Sequence, residues 1–406
     1  MNKSNSGPLQ GLKVIELAHI MAGPVCGRML ADMGAEVIKV ERVPDGDPSR
    51  GFAPPLIEGE SAAFMMMNRN KRGIAVNLKN EDGRAIVERL ISDADIVIEN
   101  YRKGTMERFG LGYEKLKKTN PGLIYCEISG FGRTGPYADL GGFDLVAQGY
   151  SGLMSITGES TDRPPVKCGP PVTDIGAGIL ATMGVLAAYA QRLKTGQGQR
   201  VDTSLFEAGI TLTFWQSAIA LATGISPEPM GSAHPLNAPY EAFETSDGWI
   251  TIGASSESTW QRLPAVLGLS ELLDDPRFIK NIDRMQHRMA LNEELIPAFK
   301  KRGTVEWLEL LKDAGVPAGP VLNVSDMLKH PQTLAREMVV ETEHPSLGPI
   351  ETIGFPVKFS ETPATIKYGA PRIGEDTKAV LAELGYSTED VDRLIKEGAV
   401  IALSPI

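Results

Sequence analysis

The chain has 406 residues, 42% of them apolar, and a formal charge of −10 from 41 Lys and Arg against 51 Asp and Glu. That length exceeds what one hydrophobic core commonly organises, so two domains are expected. The acidic balance excludes general nucleic-acid binding, which needs clustered Lys and Arg.

In chain order, residues 1–8 are polar and hold no apolar signal core. Residues 12–18 alternate as a short strand, a Gly23-Pro24 turn follows, and helical spacing runs to Met33. The next strand is 36–41, and the rhythm repeats: strand 74–78, helix 81–92, strand 95–99, helices 105–109 and 113–118, strand 123–128. Alternation of this kind implies βαβ units, a mostly parallel sheet with helices on both faces, and ligands bound beyond the carboxyl ends of the strands. No apolar stretch reads as a membrane span; the longest, 176–190, reads as a buried helix. Residues 201–222 read as a further helix, with Thr203, Ser204 and Glu207 as a capping-type start.

The Pro, Gly, Ser and His content of 224–239 marks a linker. A smaller segment follows, with a strand at 249–253 and helices at 260–267 and 304–314, and Gly315-Val-Pro-Ala-Gly-Pro320 reads as a second linker. The tail from Gly374 is helical and charged and is expected to return to the first domain. The domains are therefore 1–223, a small domain within 224–330, and a return segment 331–406. Cys26, Cys126 and Cys168 are scattered and lack paired spacing, which argues against a disulfide framework or a zinc site and for a reducing, cytoplasmic setting.

The opening strand-turn-helix invites a dinucleotide reading, with Glu41 where a ribose-binding acid would sit. Between His19 and Asp32, however, the glycines are only Gly23 and Gly27, and Pro24 removes an amide that should meet a pyrophosphate. Arg42 suits a phosphate better. Loops at 17–24, 41–42, 68–72, 99–102 and 129–136 offer Arg forks, a Lys and glycine amides, the chemistry that grips phosphates. Each charge taken alone reads more simply as a solvated surface group; their convergence on one sheet edge is what suggests a site.

Asp174 lies in Gly169-Pro-Pro-Val-Thr-Asp-Ile-Gly-Ala-Gly178, where an extended run meets a small-residue helix. Glycines at 176 and 178 would leave room for a ligand, and a carboxylate there can attack an acyl group. The alternative is that Asp174 caps a helix beginning at Ile175.

In this order the pieces resemble the class III coenzyme A transferase family, which includes formyl-CoA and carnitine CoA transferases and the α-methylacyl-CoA racemases. The markers are residues 17–24, Gly34-Ala-Glu-Val-Ile-Lys-Val-Glu-Arg42, Asn70-Lys-Arg72, Gly142-Phe-Asp-Leu-Val-Ala-Gln148, Asp174 with its helix, Thr195-Gly-Gln-Gly-Gln199, residues 315–321 and 381–386. The resemblance implies an α/β fold: a large domain whose Rossmann-like, mostly parallel sheet is built from both chain ends, a small α/β domain, and an interlocked-ring homodimer whose active sites are shared between subunits. It implies that Asp174 is the nucleophile, forming a mixed anhydride and then an aspartyl-CoA thioester. His19, Ile20, Met21, Ala22, Arg42, Val76, Lys79, Asn100, Tyr101, Arg102 and Arg108 match its coenzyme-contacting positions. The implied partners are an acyl-CoA, a free carboxylic acid and a second copy of the chain, with no permanently bound cofactor, no metal, no nucleic acid and no membrane.

Two other functions remain open at this point. The racemase branch carries His-Asp where this chain has Phe143-Asp144, and phenylalanine cannot move a proton, so transfer is favoured over racemisation. A non-catalytic acyl-CoA-binding protein would show affinity without exchange. The glycine run that shields the intermediate in some transferases is missing from 230–236.

Overall fold

Short aliphatic and β-branched runs build a seven-stranded sheet. In the computed structural model, which describes residues 7–403, β1 (Lys13–Leu17), β2 (Glu36–Arg42), β3 (Lys71–Val76), β4 (Ile96–Glu99), β5 (Ile124–Ser129) and β6 (Arg200–Ser204) run parallel. β7 (Val400–Ile401) closes one edge antiparallel to β3. The order is β7-β3-β2-β1-β4-β5-β6, and the six parallel strands follow the doubly wound 3-2-1-4-5-6 arrangement. The polar start read at 1–8 falls largely on residues 1–6, outside the described ones.

Successive strand residues point to opposite faces, and both faces are covered. Val14, Ile96, Ile98, Ile124 and Cys126 enter a core with α1 (Ala22–Asp32). Ile15, Leu17, Val97 and Tyr125 enter another with α2 (Glu81–Ser92) and the C-terminal helices Thr377–Glu383 and Thr388–Lys396. This two-sided burial is why Ile96-Val97-Ile98 of β4 reads as an unbroken apolar run. α2 occupies the residues its pattern predicts: the Asn80 side chain caps it, accepting from Asp82 N at 2.8 Å, and Glu81 and Asp82 favour the positive end of its dipole.

α3 (Val172–Thr195) lies on the α1 side, with Ala177, Ala181, Val185 and Ala188 buried in that core. Its 24 residues are long and apolar enough, by length and composition, to cross a membrane, contrary to the sequence expectation. The helix expected from 201 starts later: residues 200–204 are β6, and α4 (Leu205–Leu212) follows. The capping signal was real, since Ser204 Oγ accepts from Glu207 N at 3.1 Å and donates to Glu207 Oε2 at 2.7 Å.

The chain forms two compact units. One holds residues up to Gly152, Cys168–Leu212 and residues from Pro331 onward; the other holds Leu153–Lys167 and Thr213–His330. Residues 153–167 and 213–223 thus cluster with the second unit, not with the large domain in which the sequence placed them. One tie is the hydrogen bond from Gly231 N to Gly158 O, 2.8 Å. The second unit has an antiparallel sheet of Tyr240–Glu244, Trp249–Gly253 and Ala318–Pro320 over a core that includes Phe243, Trp260, Phe299 and Trp307. The run 315–320, expected as a linker, therefore supplies an edge strand.

Candidate active site

The strand order reverses direction between β1 and β4, and a crevice opens beyond their carboxyl ends, the usual ligand position in such sheets. The chain leaving β1 contributes His19, Ile20, Met21 and Ala22, the chain leaving β4 contributes Asn100, Tyr101 and Arg102, and all seven line one cavity of about 390 Å³ with Asp174. Asn100 joins the two loops. It accepts from His19 N at 3.0 Å and donates to His19 O at 2.8 Å. Burial lowers the pKa of His19, which favours the neutral ring.

Asp174 is the third residue of α3, whose N-cap is Pro171, so it is not the helix cap. That task falls to Asp144, whose Oδ1 accepts from Thr173 N at 2.9 Å and Thr173 Oγ1 at 2.7 Å while Gln148 Nε2 holds its Oδ2 at 2.7 Å. The Asp174 carboxyl makes no hydrogen bond among the described residues. Burial, and then the negative charge of Asp144, push its pKa up to about 7. A carboxyl kept short of solvent and partners at the wall of a cavity has the character of a nucleophile poised near neutral pH.

The neighbouring glycines do something other than what the sequence suggested. An added Cβ at Gly178 would lie 2.7 Å from Val25 Cγ1 and 2.8 Å from Ala22 O, and one at Gly176 would lie 3.4 Å from Ala208 Cβ. They let α3 approach α1 and α4 closely and do not open space for a ligand.

A second cavity of about 550 Å³ lies at the carboxyl ends of β2 and β3 and is lined by Arg42, Val76 and Lys79. His19, Tyr101 and Thr105 line both cavities, so the two adjoin across the His19–Tyr101 ring pair, whose centroids are 5.4 Å apart. Arg42 and Lys79 are exposed there. Arg108 lines neither cavity; it is exposed and donates to Thr105 Oγ1 at 2.9 Å.

Several expected phosphate-gripping cations are engaged in ion pairs with carboxylates of the chain itself. Arg69 pairs with Asp32 at 2.7 Å, Lys71 with Glu16 at 2.7 Å, and Arg72 with Glu36 and Glu383 at 2.9 and 2.8 Å. They precede or begin β3, at the amino end of the sheet, away from the crevice. Arg133 does line the first cavity but is paired with Glu99 and Glu127 and donates to Tyr101 O at 2.9 Å.

Two acids that sequence reasoning gave no site role also belong to this region. Asp144 was visible only as part of a motif. Asp47 lies in Gly46-Asp-Pro48, which reads as an ordinary turn. In the fold its buried carboxylate accepts from Ile20 N at 3.0 and 3.2 Å, from Ser49 N at 2.9 Å and from Lys39 Nζ at 2.9 Å. Burial alone would raise its pKa, but the Lys39 ammonium and the Ser49 hydrogen bonds hold it well below the usual carboxylate range. Lys39 in turn contacts Glu16 at 3.0 Å, which also pairs with Lys71.

CoA-transferase family III matches this chain over residues 9–377. An acyl-CoA transferase of Fusarium pseudograminearum is 41% identical over 410 residues, covering 98% of this chain and 89% of that protein. The succinate–glutarate CoA-transferase of Agrobacterium fabrum is 39% identical over 383 residues, 93% of this chain and 96% of the relative. Among solved structures, a CaiB/BaiF family protein from Brucella suis superposes with a TM-score of 0.83 at 41% identity, covering 93% of this chain and all of that one.

Proposed function

The chain belongs to CoA-transferase family III, enzymes that move CoA from a thioester to a carboxylic acid, and from that premise we propose that Asp174 is its acyl-carrying nucleophile. The observation that carries the proposal is an Asp174 carboxyl without hydrogen-bonding partners, facing the crevice where β1 and β4 diverge. Asp174 attacks the donor thioester carbonyl and expels CoA thiolate, leaving a mixed anhydride. The thiolate then attacks the aspartyl carbonyl, which releases the donor acid and leaves an aspartyl-CoA thioester. The acceptor carboxylate attacks that thioester to give a second anhydride, and thiolate returning to the acceptor acyl carbon frees acyl-CoA and Asp174. Each step trades one activated acyl bond for another, so the thioester's free energy is conserved while water is kept away.

The adjoining cavities suit an extended thioester. The nucleotide end takes the cavity of Arg42, Val76 and Lys79, and the acyl end reaches Asp174 past His19, Tyr101 and Asn100. Succinate and glutarate, named for the Agrobacterium relative, are the first acids to test. Phe143, at the first cavity, has no proton to shuttle, which disfavours racemisation. We also propose a cytoplasmic homodimer in which each site is completed by the partner. Exposed apolar side chains support it: Met183 of α3 is 61% exposed and Leu221, in the second unit, is 88% exposed.

Replacing Asp174 by Ala or Asn is expected to lower CoA exchange by about 10³-fold or more while CoA binding stays measurable by calorimetry. Hydroxylamine added with acyl-CoA is expected to trap an adduct at Asp174 alone. Turnover retained in either variant refutes the assignment.

A further inference from the structure

Ile20 is a β-branched residue at φ +65°, in the left-handed region that such side chains rarely enter. It sits at the bend between β1 and α1, and its neighbour Met21 is the N-cap of α1. Two devices flank this bend. Asn100 ties His19 on one side, and both oxygens of Asp47 accept the Ile20 N–H. Asp47 is itself fixed by Lys39, which is held by Glu16 and donates to Ala18 O at 2.9 Å. All three charged side chains are buried, and of the three only Asp47 lines a cavity, the second one, not the one that holds Asp174.

We propose that Asp47 is a positioning residue for CoA transfer: it holds Ile20 in the left-handed conformation, and so aims the Met21–Ala22 start of α1 into the cavity that contains Asp174. The proposal rests on the transfer reading above. Without the carboxylate, Ile20 relaxes toward ordinary negative φ, and the bend reorients the amides that end it. Asp47 touches no reacting atom; its hydrogen bonds reach the first cavity through the backbone at Ile20. A left-handed residue kept in place by its surroundings is how strain persists at functional sites.

The test separates this role from general destabilisation. Asp47→Ala alone leaves Lys39 and Lys71 facing Glu16 with an excess buried charge and is prone to misfold. The double variant Lys39→Met/Asp47→Ala removes the pair together, keeping Glu16–Lys71 and Glu41–Arg50 intact. With succinyl-CoA and glutarate as probes, its kcat is expected to fall about 10²-fold, with KM for succinyl-CoA changed less than about threefold. Adding Ile20→Gly, which enters positive φ without steric penalty, is expected to recover about tenfold of the lost kcat. In the wild-type background the same Ile20→Gly change is expected to lower kcat, because a fixed bend becomes a loose one. This reversal of sign is what a merely structural role would not produce. A triple variant no faster than the double, or a double as fast as wild type, overturns the proposal. Hydrogen exchange without substrate reads the hold directly: the Ile20 amide should exchange about tenfold faster in the double variant, and unchanged protection also overturns it. Wild type that transfers no CoA yet protects this amide would sink the transfer reading and leave the hold standing.

Discussion

Asp174 keeps its proton to about pH 7 in the fold, whereas an unfolded chain releases it in the ordinary carboxylate range. Between about pH 4 and 7, unfolding therefore releases a proton. The stability linked to this carboxyl is full below that interval, falls as pH rises through it, and is gone above about pH 7. Asp174→Asn should accordingly be more stable than wild type by about 1–3 kcal/mol at about pH 8 and nearly equal to it at about pH 4, by urea denaturation at the two values. Catalysis has the opposite sense: the nucleophile must be ionised, so kcat/KM is expected to rise with pH through about 7. At this scale the sequence was informative where a side chain acts from its own loop. His19, Asn100, Tyr101 and Asp174, singled out from separate loops, line one cavity. It was silent on Asp47 and misleading on Arg69 and Lys71, because whether a charge meets solvent or a buried partner depends on contacts far along the chain.

α3 and α1 meet through a glycine, and the contact fixes where both helix starts lie. A methyl at Gly178 would press on the Ala22 carbonyl, backbone that cannot swing aside, whereas one at Gly184 would meet only Val201 Cγ1 at 2.7 Å. Gly178→Ala is therefore expected to destabilise by about 1–3 kcal/mol and to lower exchange activity, and Gly184→Ala to do less of both, in thermal melts and steady-state assays. Elements were readable where local signals agreed: α2 carries its cap, its acids and its apolar face within twelve consecutive residues. They were unreadable where pairing decides. β6 exists because 200–204 lie beside β5, and Ala318–Pro320 is a strand because Trp249–Gly253 lies beside it. Neither neighbour is near in sequence, and both segments carry cap or Gly/Pro signals that dominate any local reading.

The sheet, its strand rhythm and the return of the chain end were foreseeable for the whole molecule, because βαβ alternation restricts the possible topologies to few. The boundary of the second unit was not, since residues 153–167 join it through contacts such as Gly158 with Gly231. The proposed homodimer predicts a sedimentation mass near twice 43.7 kDa. Met183→Glu or Leu221→Glu should shift it toward the monomer with a parallel loss of exchange, since a charge on an apolar contact face is desolvated without a partner. The pairing of β7 with β3 adds an ordering in time. Val400 and Ala399 supply the backbone partners of Val76 and Asn77, which wall the second cavity. On the ribosome those partners are synthesised long after β3, which until then presents a bare edge. The crevice around His19 and Asp174 is thus encoded early, while the wall proposed to hold the nucleotide is finished among the late events of synthesis.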